Sequence, residues 1–346
     1  MTVFTRRARR SGAALTGLAV VALTAGACGG GSGQSADDGK LKVVATTNVW
    51  ASVARAVGGQ DVDVESIIDD PAADPHSYES SPQDAAKISE ADLVLLNGGG
   101  YDEFAEKILG TSGDKPTVQA FEGEHEHGDH ADDHAGEPAA DHDEHAGEPA
   151  DEHGAEHAGD AHEGHDHDHS VNEHVWYDLH VVRETADQVA DRLGELQPEK
   201  SQAFHDGAAR FGEQIGGLEG RVQQISATEH GKKVIVTEPV AQYLVEAAGL
   251  TDITPQSFVN SVEDGNDPSA ASVAEIQNAV NSKQAAAVIY NPQTESPVTE
   301  SVRKDAEQNQ TPVVEMTETL PQQNQDYVRW MDGQISALQN ALTGRA

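Results

Sequence analysis

Leu41-Lys-Val-Val-Ala-Thr-Thr-Asn-Val-Trp-Ala-Ser-Val-Ala-Arg-Ala-Val-Gly-Gly59 reads as a strand, 41–46, running into a helix, Val49 to Val57, that stops at the glycine pair. The pattern then repeats. Val62-Asp-Val-Glu-Ser-Ile-Ile68 alternates as a second strand, Pro82 to Glu90 is a short helix with proline in its first turn, and Asp92-Leu-Val-Leu-Leu96 is a buried strand. Tyr101 to Leu109 as helix and Thr117-Val-Gln-Ala120 as strand complete the series. Strands alternating with helices give an α/β architecture around a mainly parallel sheet, with ligands expected beyond the strand carboxyl ends.

Farther along, Leu179 to Leu196 is a helix, and a longer one follows Pro198. In it Phe204, Ala208, Phe211, Ile215, Leu218, Val222 and Ile225 are spaced alternately four and three apart. That stripe predicts an amphipathic helix of about 28 residues, roughly 42 Å long. Gly207, Gly212, Gly216, Gly217 and Gly220 weaken a free-standing version, so docking within the chain is expected ahead of a coiled-coil dimer. The α/β alternation then resumes. Lys233-Val-Ile-Val-Thr237 is a strand, and Pro239 opens a helix that Gly249 ends. Ser269 to Ser282 is a helix, Ala286-Val-Ile-Tyr290 a strand and Val298 to Asn309 a helix. Val313-Val-Glu-Met-Thr-Glu318 is the last strand with its exit loop, and Asp326 to Leu342 is a closing helix.

Between the first series and the long helix lies Glu122 to Ser170, which holds 12 of the 17 histidines and 18 Asp or Glu but no Lys or Arg. His134-Ala-Gly-Glu-Pro-Ala139 recurs as His145-Ala-Gly-Glu-Pro-Ala150, and the stretch closes on His165-Asp-His-Asp-His169. So little apolar surface cannot offset chain entropy, which predicts a mobile loop. Imidazoles among carboxylates suit zinc, copper and nickel, and His162, His165, His167 and His169 are candidate weak sites. A solvated acidic linker is the alternative.

The net charge is −38, and the insert accounts for 18 of those charges. The remainder is still acidic, which argues against nucleic acid and anionic lipid as partners and is compatible with attracting cations. At the start, Arg6, Arg7, Arg9 and Arg10 precede a short apolar run, Ala13 to Thr24, and Ala25-Gly-Ala-Cys28. This reads as a signal peptide, 1–27, too short in its apolar part to span a membrane comfortably. Cys28 is the only cysteine, so no internal disulfide can form. Its setting resembles a lipoprotein lipobox with Ala25 where Leu is usual. That implies an acylated Cys28, with several chains for firm anchoring, and a flexible tether over 28–40.

One loop, Asp69-Asp-Pro-Ala-Ala-Asp-Pro-His-Ser-Tyr-Glu79, holds His76 between constrained turns after a strand, as a metal site requires. Asp74-Pro-His-Ser-Tyr-Glu79, then Ser81-Pro-Gln-Asp84, Ile88-Ser-Glu-Ala-Asp92 and Asn97-Gly98, resemble the ZnuA-type solute-binding lipoproteins of bacterial zinc and manganese ABC importers. The similarity covers essentially all of residues 41 to 340. It implies two βα lobes with mainly parallel sheets, 41–196 and 228–346, joined by a rigid linking helix over 197–227, with one ion in the cleft between them. The first implied ligand is His76. The family's Asp-Pro-His-x-Trp-x-Asp is here Asn172-Glu-His-Val-Trp-Tyr-Asp178, which departs at its first two positions but implies His174 as the second ligand. Glu238 stands where zinc-uptake members usually have His and manganese-uptake members often have Glu. The fourth ligand, usually Asp, falls to Glu318 ahead of Glu315.

The resemblance implies an extracytoplasmic lipoprotein, anchored to the outer face of the cytoplasmic membrane, that captures Zn²⁺ and delivers it to the permease of an ABC importer. It is expected to act as a monomer, with the histidine-rich loop concentrating metal. Mn²⁺ is the alternative cargo, and a surface metal buffer or adhesin the alternative role. An enzyme is not expected: no HExxH helix or nucleophile elbow is present.

Overall fold

The computed structural model describes residues 39–71, 73, 75–121, 172–321 and 326–344. Cys28, the signal segment and the whole histidine-rich stretch, including His162, His165, His167 and His169, lie outside the described residues.

The first half runs β1 (Leu41–Thr47), α1 (Asn48–Gly58), β2 (Val62–Ile68), α2 (Pro82–Glu90), β3 (Leu93–Gly98), α3 (Glu103–Ser112) and β4 (Thr117–Phe121). Its strands form one four-stranded parallel sheet in the order β2-β1-β3-β4. Alternation decides which helices cover which face. Val43, Ala45, Leu93 and Leu95 point to one side, and Val44, Val94 and Leu96 to the other, where Ile88 of α2 and Ala105 of α3 meet them. Both faces are covered, so β3 is buried at all six positions.

After α4 (Leu179–Leu196) and α5 (Ser201–Glu229), the second half repeats the plan. It comprises β5 (Lys233–Val236), α6 (Gln242–Ala247), β6 (Thr251–Asp252), α7 (Gln256–Glu263), α8 (Ala270–Asn281), β7 (Ala287–Tyr290), α9 (Pro297–Gln308), β8 (Val313–Glu315) and α10 (Tyr327–Thr343). The sheet order β6-β5-β7-β8 is again all parallel. Ile235 and Val288 face Phe258 of α7, Ile276 and Val280 of α8 and Val302 of α9, while Val234, Val236 and Ile289 face the other way.

Those inner faces belong to one apolar core that runs from the first sheet through α1, α4, α5 and α10 to the second. All seven stripe residues of α5 are buried in it, so the stripe faces the chain's own core. Burying each of its Phe, Ile, Leu and Val side chains contributes about 1.5–3 kcal/mol. Gly207 allows the close approach: a Cβ there would overlap the Val57 carbonyl oxygen of α1.

The last strand ends at Glu315, with Met316 to Glu318 as the expected exit loop. Two local expectations change. The continuous helix expected from Pro239 is a short 3-10 turn, Pro239–Ala241, followed by α6. Between 250 and 268, where no element was expected, the chain forms β6 and α7. No described helix is long and apolar enough to cross a membrane.

Candidate metal site

His76, Glu238 and Glu318 follow the carboxyl ends of β2, β5 and β8, where parallel sheets leave room for ligands. His76 follows β2 in a 3-10 turn, Pro75–Ser77. The turn is tied to α2: Tyr78 Oη donates to Asp84 Oδ2 at 2.9 Å, and Ser81 and Asp84 form a reciprocal cap on the helix. His174 opens the 3-10 turn Val175–Tyr177, in which Trp176 and Tyr177 are buried. Asp178 then caps α4 by accepting from the His180 amide at 2.9 Å. The Trp and Asp that follow His174 are thus an anchor and a helix cap. Asn97, the penultimate residue of β3, accepts from Trp50 Nε1 at 3.0 Å and donates to the Glu173 carbonyl at 2.9 Å, bringing the His174 segment onto the sheet.

These supports bring His76, His174 and Glu318 together, with one ligand atom of each within 4.8 Å of the others. His76 Nε2 is 3.3 Å from Glu318 Oε2, and the two imidazole centroids are 5.3 Å apart. Glu318 is buried and accepts from Tyr101 Oη and Asn291 Nδ2, each at 2.9 Å. Glu315, by contrast, is exposed at the end of β8. Glu238 is also buried and lies outside that three-residue group. Thr294 Oγ1 donates to its Oε2, while its Oε1 has no hydrogen-bond partner among the described residues.

Electrostatics separate the two histidines. Burial pushes His174 down to about 4, leaving it neutral. Its Nδ1 lies 2.7 Å from Asn172 Oδ1, an acceptor, so Nδ1 carries the proton and Nε2 keeps its lone pair. Burial also works against protonation of His76, but the Glu318 and Glu173 carboxylates hold it well above its ordinary value. Burial likewise opposes ionisation of Glu318, yet His76, His174 and the Tyr101 hydroxyl keep it below the usual carboxylate range. Burial, then the nearby charge of Glu318, raises Glu238 well above that range. A neutral acid with an unpartnered oxygen beside an ionised one is an arrangement that a dication would satisfy.

Sequence reasoning missed two acidic residues here. Glu173 and Glu263 form a second group with His76, again with one ligand atom of each within 4.8 Å of the others. Glu173 Oε1 is 3.0 Å from His76 Nδ1. Burial lifts Glu263 to about 7. The first had a visible signal, since it departs from the Asp-Pro-His pattern; the second sits on α7, which was not expected.

The family described as zinc-uptake complex component A, periplasmic (ZnuA), matches residues 43–341. The chain belongs to this family. It is 24% identical over 320 residues to the zinc-binding lipoprotein AdcA of Streptococcus pneumoniae serotype 4, a match covering 89% of this chain and 57% of AdcA. The chain thus spans little more than half the length of that relative. Over 81 residues it is 42% identical to the manganese ABC transporter substrate-binding lipoprotein PsaA of Streptococcus mitis, covering 23% of this chain and 25% of PsaA. Its fold matches the periplasmic zinc binding protein TroA of Treponema pallidum with a TM-score of 0.63 at 17% identity, over 88% of this chain and 99% of that one.

Proposed function

We propose that the protein is a metal-binding lipoprotein that captures Zn²⁺ outside the cytoplasmic membrane and hands it to the permease of an ABC importer. The observation that carries this is the convergence of two imidazoles and a buried carboxylate, from loops of both sheets, within 4.8 Å. In this reading His76 and His174 supply nitrogen, and Glu318 and Glu238 supply oxygen, a mixed set that suits a borderline dication. Both relatives are named as lipoproteins that bind a metal or a transporter substrate, which supports a binding role without catalysis.

Export, anchoring and metal capture complete the reading. Residues 1–27 direct export, acylated Cys28 anchors the chain, and 28–40 tether two lobes linked by a helix over 197–227. The monomer collects zinc on its histidine-rich stretch. Mn²⁺ is the second reading for the cargo, favoured by the carboxylate at Glu238 and by the similarity to PsaA.

Competitive zinc titration of the chain with and without residues 124–168 tests the proposal. One tight site should survive the deletion and vanish in His76→Ala. No tight site after deletion would reduce the protein to a histidine-tract buffer. A tight site that prefers Mn²⁺ would change the cargo.

A further inference from the structure

Glu173 replaces the proline of the family pattern and takes no part in the proposed ligand set. Its side chain is nonetheless close to His76: the residue is only 7% exposed, and Oε1, which makes no hydrogen bond among the described residues, sits 3.0 Å from His76 Nδ1. The other ring nitrogen of His76, Nε2, faces Glu318 Oε2 at 3.3 Å. The imidazole is therefore held between two carboxylates, one from each half of the chain.

A ring that offers Nε2 to a metal must carry its proton on Nδ1. A carboxylate that accepts that proton fixes the tautomer and the ring plane and makes the ligating nitrogen more basic. We infer that Glu173 is a positioning residue for His76, accepting Nδ1–H so that Nε2 points at the ion. The inference rests on the proposed cleft site. The preceding residue does the same for the other imidazole, since Asn172 Oδ1 meets His174 Nδ1 at 2.7 Å. Two adjacent residues thus orient both histidines. Hydrogen bonds hold the pair in place: the Glu173 backbone carbonyl accepts from Asn97 Nδ2 at 2.9 Å, and the Asn172 side-chain Nδ2 donates to the Pro239 carbonyl at 3.1 Å. The Glu173 backbone is thus held by the first sheet before any metal arrives, and only its carboxylate has to turn to take up the Nδ1 proton.

The test compares full-length wild type, Glu173→Ala and Glu173→Gln by chelator competition for zinc, with nitrogen-15 spectra of labelled histidine. His76 is assigned by its absence in His76→Asn. Glu173→Ala should weaken the tight site by about 10- to 100-fold while keeping one tight equivalent. Glu173→Gln, which still offers a neutral acceptor, should fall between. In zinc-loaded wild type, His76 should show a protonated Nδ1 and a metallated Nε2, a readout that holds even if a variant folds poorly. Unchanged affinity in Glu173→Ala, or zinc on Nδ1, would overturn the inference while leaving the cleft site standing. So would loss of the whole tight equivalent in both variants, which would make Glu173 a direct ligand. A wild type without a tight site would remove the cleft reading as well.

Discussion

The two sheets share one strand order and an all-parallel register, yet they send different chemistry toward the same space. The first carries His76 after β2 and holds the His174 segment through Asn97; the second carries Glu238 after β5 and Glu318 after β8. The first side is nitrogen, split into a neutral ring and a protonated one; the second is oxygen, split into an ionised carboxylate and a neutral acid. Strand-end geometry thus decides where a side chain can reach, and residue choice decides what it does there. Beneath both halves the apolar core is continuous, so the difference is confined to the loops.

The comparison is broken most severely by removing a nitrogen. His76→Ala should cost zinc affinity more than the 10- to 100-fold expected for losing a ligand's outer partner, measured by chelator competition. The shared core gives the opposite pattern. Phe211→Ala, in the α5 stripe and within 6.0 Å (centroid to centroid) of Tyr327, should cost about 3–5 kcal/mol in urea unfolding of the metal-free chain. Zinc affinity of the folded protein should hardly change.

Acidity separates the two nitrogens. His76 is raised above 6.5 in the folded chain, so its protonated form stabilises the metal-free fold below that value. That contribution is lost as pH rises through the folded pKa. In the proposed site zinc displaces the His76 proton, and Glu238's as well if it ligates, so affinity should fall on acidification by about tenfold per pH unit for each proton displaced, checked by competition across neutral pH. His174, neutral down to about 4, should add nothing in that window. Calorimetry in buffers of different ionisation enthalpy should find one proton released from His76, and a second if Glu238 ligates.

The smallest change sharpens the contrast between lobes. Glu238→His would make the second lobe contribute nitrogen too, and should shift selectivity toward zinc over manganese without greatly changing stability. Paired titrations with the two metals would read it.

Legibility in the sequence depends on which signals are local. The strands around Val43 and Val94 announce themselves as short apolar runs, because both their faces are buried, and the α5 stripe by its period, because one face is. His76 and His174 stand in motifs whose neighbours do structural work, namely the Ser81–Asp84 cap, Trp176 and Asp178. By contrast, β6 has two residues, too few for alternation to register, and α7 went unread beside it. Glu173 approaches His76 only through folding, when Asn97 draws its backbone onto the first sheet. No local pattern could report that contact, just as none could reveal that Glu238 keeps an oxygen without a partner.

The most direct test is the anomalous signal at the zinc edge from crystals of the zinc-loaded protein. The account predicts one strong peak between the lobes, about 2.0–2.2 Å from His76 Nε2, His174 Nε2 and a carboxylate oxygen of Glu318. A peak bound by residues of one lobe alone, or no peak in the cleft, would contradict it.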